Sequence, residues 1–177
     1  AARVYSYDLW KKLSDGIILL ERDKGKIECS VNKISIDGSK VRFEFTVTNK
    51  SDKTVEVNIP TIALAFLNIK LNDRSLFNLK KFRDIGLPEL FPYSSKEYLT
   101  LKAKEKGTSE NKKKTSSQLD TKYLNSELIE SLRKSSNPIM LNYEYKADAV
   151  FMRGTSKALS VQTIVSKGVV IATYSDN

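Results

Sequence analysis

The sequence contains no histidine. That excludes Ser-His-Asp and Cys-His nucleophilic systems, histidine general bases and every zinc or iron site built on imidazole. Cysteine is nearly as scarce. Cys29 stands alone, so the chain has neither an internal disulfide nor a thiolate metal cluster. It falls in a strand pattern, where a small buried residue is the expectation and a reactive thiol the alternative. The seven glycines include no G-x-G-x-x-G and no G-x-x-x-x-G-K-[ST] spacing, which removes the familiar nucleotide cradles. A D-x-D-x-D-G calcium loop is also missing. No run approaches the roughly 20 apolar residues that a membrane helix needs.

Little catalytic chemistry is left. Two suitably spaced acids suffice for glycoside hydrolysis, but Glu28, Glu44, Glu56, Glu144 and Asp148 fall on the outward parity of strand patterns, where a solvated sheet face accounts for them. Ser131-Leu132-Arg133-Lys134 matches S-x-x-K formally, a four-residue coincidence in a lysine-rich chain. The expectation is a protein that is not an enzyme and carries no cofactor.

What is abundant is positive charge. The net charge of +9 favours anionic partners, whether nucleic acid, acidic protein or lipid headgroups, although an excess of lysine also serves solubility alone. Hydrophobic content of 40% over 177 residues fits one globular domain spanning 1–177. The chain begins Ala1-Ala2 without an initiator methionine, which fits removal of a signal peptide.

The clearest element is KVRFEFTVTNKSDKTVEVNI. Val41, Phe43, Phe45 and Val47 alternate with Arg42, Glu44, Thr46 and Thr48. After the polar link Asn49 to Lys53, Val55, Val57 and Ile59 resume the inward parity, which predicts a β-hairpin. Asn49-Lys50-Ser51 is an N-glycosylation sequon in that turn. Upstream, Ile27, Cys29 and Val31 keep one parity and Ile34 and Ile36 the other, which predicts a bulge near Asn32-Lys33; Asp37-Gly38 then turns the chain. A short helix is expected over Arg3 to Leu13 and a strand at Ile17 to Leu20. TIALAFLNIKL is apolar on both parities and reads as a strand covered on both faces or bulged.

Leu76 to Tyr93 reads as a long connection anchored by its own apolar residues. Residues 102 to 122, lysine-rich and almost without apolar side chains, read as a basic flexible insertion. Leu124, Leu128, Ile129 and Leu132 then form a helical stripe within roughly 120 to 134, stopped by Ser135-Ser136-Asn137-Pro138. Alternation returns from Leu141 to Phe151 and from Leu159 to the C-terminal strand.

Two basic clusters are candidate partner-binding surfaces. Lys80, Lys81, Phe82 and Arg83, with Tyr93, interleave cations and aromatics in a way that suits base stacking or a protein partner, against a reading of the phenylalanines as loop anchors. Lys112, Lys113 and Lys114 offer charge to phosphates or anionic lipid headgroups, against a reading as a solvated run.

Phe45, Val47 and Asn49, then Ser51 and Asp52, Val55 and Val57, and later Pro92, Ser94, Leu99 and Leu101 follow an F-x-V-x-N strand, turn, V-x-V strand and L-x-L strand layout. Over Ile27 to Lys104 this resembles the immunoglobulin-like sandwiches of exported bacterial proteins and lipoproteins, and is similar to the water-stress domain of late embryogenesis abundant proteins. The resemblance implies a mainly β fold, a single antiparallel sandwich of seven to nine strands with one or two accessory helices. It also implies a non-catalytic interaction module. The leading expectation is an extracytoplasmic or surface-associated adaptor that binds another protein through a sheet edge or its loops. The alternative is a basic β-domain that binds nucleic acid or an anionic surface, and an enzyme ranks third.

Overall fold

A computed structural model describes residues 27–78, 80, 98–103, 110–135, 138–153 and 159–175. The expected helix at Arg3 to Leu13 and strand at Ile17 to Leu20 lie outside them. The described chain is mainly β. Strands β1 (Ile27–Asp37), β2 (Lys40–Asn49) and β3 (Val55–Asn58) lead to a short helix α1 (Ile59–Leu64), and a 3₁₀ turn over Ala65–Asn68 follows. Next come the small strands β4 (Lys70–Leu71), β5 (Arg74–Ser75) and β6 (Tyr98–Leu101), then β7 (Lys112–Asp120). Helix α2 (Ser126–Lys134) precedes the two longest strands, β8 (Ile139–Arg153) and β9 (Leu159–Ser175).

Among the described residues the strands form one mixed sheet in the order β5-β4-β8-β9-β1-β2-β7, with β3 and β6 beside the far end of β8. The expectation of a purely antiparallel arrangement is corrected at one place. β9 runs parallel to β1, pairing Lys33 with Ile171 through Asp37 with Ser175. The reason is connectivity: β8 and β9 form a long hairpin from Ile139↔Ala172 to Met152↔Leu159, and the hairpin's second strand returns alongside the start of the described chain.

The β1–β2 hairpin follows the alternation, but the hairpin predicted over Lys40 to Ile59 does not form: β2 pairs with β1 and β7, β3 pairs with β6 and β8, and Ile59 begins α1. Inward residues Val41, Phe43, Phe45 and Val47 are fully buried, and Gly38, with φ of 53°, opens the two-residue turn where a type II′ turn requires positive φ. The register shifts between Val31 and Lys33, the bulge that the parity switch predicts. It also separates two ways of joining β1 to its neighbours. After the bulge, β1 joins β9 by a backbone ladder. Before it, side chains bridge the gap. Gln162 accepts from the Ile27 N–H at 3.0 Å and donates to the Ile27 carbonyl at 2.8 Å. Ser166 donates to the Cys29 carbonyl at 2.7 Å, and the Tyr143 hydroxyl accepts from the Val31 N–H at 3.0 Å. Each buried main-chain group so bonded avoids a desolvation penalty of about 1–3 kcal/mol.

The stretch Thr61 to Leu71 is a correction. It is not one strand: α1, the 3₁₀ turn and β4 share it. Ile62, Ala63, Phe66 and Leu67 are all buried at helical spacing. Because apolar residues occupy both parities of the sequence, Ile62, Leu64 and Phe66 on one and Leu67, Ile69 and Leu71 on the other, alternation could not separate strand from helix there. Proline in the first turn of α1 costs no hydrogen bond, since the first N–H groups of a helix lack partners anyway. The turn delivers Phe66 to the centre of the core. Its ring stacks on Phe43 at 4.4 Å, meets Phe45 edge-on at 5.1 Å and lies 5.2 Å from Tyr145 of β8. The sheet therefore bends so that β2 and β8 both face Phe66.

Helix α2 occupies most of the expected segment, with a 3₁₀ turn at Thr121–Tyr123 before it. Asn125 caps it by accepting from the Glu127 N–H at 3.1 Å, Arg133 and Lys134 sit at its negative end, and Leu128 and Leu132 are buried.

Candidate protein-binding edge

Residues 102 to 122 do not form a flexible excursion throughout. Lys112–Asp120 is β7, paired antiparallel with β2 from Thr48↔Lys112 to Lys40↔Asp120. Residues 104–109 lie outside the described part. Composition misleads here because a main-chain ladder is indifferent to side chains. On the inward parity Lys113 is exposed, Thr115 and Ser117 are half-buried, and only Leu119 is fully buried.

The start of β7 is fastened by asparagines. Asn49, fully buried, lies on the inward parity of β2. Its Nδ2 donates to the carbonyls of Lys53 (2.8 Å), Leu101 (3.3 Å) and Lys102 (3.1 Å), while Oδ1 accepts from the Ser51 N–H (2.9 Å) and Oγ (2.7 Å). Asn111 Nδ2 donates to the Asn49 carbonyl at 3.1 Å, and the Lys102 N–H donates to the Glu110 carbonyl at 3.2 Å. One residue thus ties together the ends of β2 and β6, the intervening turn and the entrance to β7. The sequon reading is corrected accordingly: Asn49 is not in an exposed turn, and its amide is committed to the interior. Its position in phase with Val41 to Val47 was the signal available in the sequence for a buried polar residue.

That anchoring fixes which main-chain groups face outward. Asn49 N–H bonds to the Asn111 carbonyl at 2.7 Å, and Thr121 N–H bonds to the Ser39 carbonyl at 3.0 Å. In an antiparallel pair, hydrogen-bonded and non-hydrogen-bonded positions alternate. Odd-numbered residues of β7 are therefore directed at β2, and the N–H and C=O groups of Lys112, Lys114, Ser116 and Gln118 point away from it. No described residue pairs with that outer edge.

Lys112, Lys113 and Lys114 are all exposed at the start of this edge, with Lys112 and Lys114 on the outer face and Lys113 on the other. Neighbouring acids are engaged elsewhere. Glu110 pairs with Lys102 at 3.1 Å and Glu44 with Arg42 at 4.0 Å. Beside Lys114, a shallow depression of about 380 Å³ is bordered by Asn32, Arg42, Glu44, Thr115 and Ser116. Asn32 reaches this face from the bulge in β1, donating to Thr46 Oγ1 at 2.6 Å.

The other cluster is only partly described. Lys80 is exposed, with its N–H bonded to Asn78 Oδ1 at 3.1 Å. The Asn78 N–H donates to the Tyr123 carbonyl at 2.8 Å, so Lys80 follows a residue fastened just past the far end of β7, away from Lys112. Lys81, Phe82, Arg83 and Tyr93 lie outside the described residues.

The thiol is buried chemistry. Cys29 is 7% exposed, its Sγ accepts from the Tyr145 hydroxyl at 2.7 Å, and burial pushes its pKa up to about 12 against the lowering effect of that bond. Burial, followed by the neighbouring Cys29, also holds the Tyr145 hydroxyl well above the ordinary tyrosine range. A thiol so placed stays protonated and weakly nucleophilic at neutral pH. Among the described residues, no three metal-ligating His, Cys, Asp or Glu side chains cluster together, and no helix is long and apolar enough to cross a membrane. Comparison with protein-family models and with curated proteins finds no match in either.

Proposed function

We propose that the protein is a non-catalytic interaction module, an adaptor that receives an extended segment of another protein along the outer edge of β7. The observation that carries this reading is the nine-residue strand itself, whose outward N–H and C=O groups have no partner among the described residues. Such an edge accepts an added strand through main-chain bonds, with side chains supplying selectivity. The reading includes the immunoglobulin-like, sandwich-type layout of exported domains and an extracytoplasmic setting. Placement of Phe43 and Phe45 on one side of Phe66 and Tyr145 on another supports facing layers.

The net charge of +9 favours a second reading, binding to nucleic acid or an anionic surface. The alternation of Lys112, Lys113 and Lys114 between two faces serves that reading less well, since a flat polyanion meets one face at a time.

Hydrogen exchange on the protein with a peptide selected from a displayed library tests the proposal. The amides of Lys112, Lys114, Ser116 and Gln118 are expected to exchange rapidly in the free protein and to gain protection on binding, while those of Lys113, Thr115 and Ser117 are protected in both states. Ser116→Pro, which removes an outward donor without touching the ladder to β2, is expected to abolish binding. Protection appearing elsewhere, with these four amides unchanged, would overturn the proposal.

A further inference from the structure

Resting on the β7 reading above, we infer that the segment received there is acidic and runs antiparallel to β7, with consecutive carboxylates at its C-terminal end. A strand added in β geometry sets successive side chains on alternating faces, each beside its cross-strand neighbour. Lys112 and Lys114 project on one face and Lys113 on the other, so a run of three adjacent acids meets all three cations, whereas acids spaced by two meet only one face. Antiparallel addition places the partner's C-terminal end against Lys112 and continues the pairing sense that β7 already has with β2.

The remainder of the edge asks for something different. Ser116, Ser117 and Gln118 carry no charge, so the partner's preceding residues are uncharged strand formers. The lysines also act against the wrong occupants. A basic segment, or a second copy of β7 laid parallel with its lysines in register, is repelled, which is how edges are kept from indiscriminate pairing. Glu110 and Glu44, engaged by Lys102 and Arg42, leave the three β7 cations for the incoming carboxylates. The depression beside Lys114 is bordered by both Arg42 and Glu44, which pair with each other, so the unmatched positive charge on the outer face is that of Lys112 and Lys114.

Fluorescence anisotropy with labelled peptides of the same nine-residue length as β7 tests the inference. The parent peptide alternates threonine and valine and ends in three glutamates. Replacing those glutamates by glutamine is expected to weaken binding about tenfold at low salt. Moving them to the N-terminal end is expected to have a similar effect. The combined variant Lys112→Gln, Lys113→Gln and Lys114→Gln is expected to erase the preference while its circular dichroism and melting curve stay those of the wild type. Equal binding of the glutamate and glutamine peptides, or a preference that survives in the lysine variant, overturns the inference. A glutamate peptide N-methylated at alternate residues separates the two levels. If it binds as well as the parent, strand addition itself fails; if it does not bind while glutamine and glutamate peptides bind alike, strand addition stands and acidity fails. Tight binding of a single-stranded oligonucleotide lost in the lysine variant, with no peptide bound, assigns the lysines to nucleic acid and overturns the inference.

Discussion

Asn49 and Asn111 hold each other across the entrance to β7: the Asn49 N–H donates to the Asn111 carbonyl at 2.7 Å, and Asn111 Nδ2 returns a bond to the Asn49 carbonyl at 3.1 Å. Both residues are buried. Replacing Asn49 by alanine strands the carbonyl of Leu101 and the Ser51 N–H in the interior, at a cost of about 3 kcal/mol or more. Urea denaturation would show a lower midpoint. A change of less than about 0.5 kcal/mol, the size typical of surface substitutions, would contradict the role assigned to this residue. Asn49→Asp should not rescue stability, because a carboxylate cannot donate to the Lys53, Leu101 and Lys102 carbonyls.

Cys29 gives the stability a defined alkaline dependence. Its folded pKa of about 12 lies above the ordinary 9.0, so the unfolded chain releases the thiol proton first as pH rises. Stability is expected to be constant for this group below pH 9 and to fall through the interval up to about 12. Tyr145, raised in the same direction, steepens the fall at its upper end. Melting curves of Cys29→Ala against wild type across this range should show a shallower decline in the variant. Equal slopes would refute the assignment. A thiol-specific colorimetric reagent should also react with wild type only as fast as the chain unfolds.

Gly168 faces the ring of Tyr143. A methyl group added at Gly168 would sit 3.2 Å from Tyr143 Cε1 and 3.5 Å from its hydroxyl oxygen, and the ring has little freedom to yield, because that hydroxyl bonds the Val31 N–H and Ser166 Oγ, both at 3.0 Å. Gly168→Ala should therefore cost about 1–2 kcal/mol. Tyr143→Phe frees the ring but leaves the Val31 N–H unpaired, at about 1–3 kcal/mol. The double variant is expected to lose less than the two single losses combined, and strict additivity in thermal melts would exclude this coupling.

Phe66 is the side chain on which the bend of the sheet converges. Phe66→Ala is expected to cost about 3–5 kcal/mol, and Phe66→Leu, which fills more of the space, distinctly less. Denaturant titration of both variants checks the order. Equal losses would mean that ring stacking, not volume, dominates.

Much of the fold is legible wherever one face of a strand is buried and the other wet. The β1–β2 hairpin, its bulge at Asn32-Lys33, the turn at Gly38 and the inward parity of β8 all follow from alternation. Two segments escaped it for opposite reasons. Thr61 to Leu71 carries apolar residues on both parities, with Ile62, Ala63, Phe66 and Leu67 buried, and such a pattern specifies no period. β7 carries almost none, since it is held by main-chain bonds to β2. The parallel β1–β9 pairing is a matter of which distant segments meet, for which no local pattern exists. Of the candidate binding residues, Lys112, Lys113 and Lys114 were visible as a charge run, but their place on a sheet edge depends on Asn49 and Asn111, whose buried amides resemble ordinary turn residues in sequence.

The side-chain bridges between β1 and the β8–β9 hairpin carry one further consequence. A main-chain ladder repeats every two residues, so a strand displaced by two positions finds equivalent partners and keeps its inward face inward. The bridges from Gln162, Ser166 and Tyr143 do not repeat: each reaches one particular group, at Ile27, Cys29 or Val31. They act as a key with a single lock position, and a slipped β1 would forfeit all of them at once.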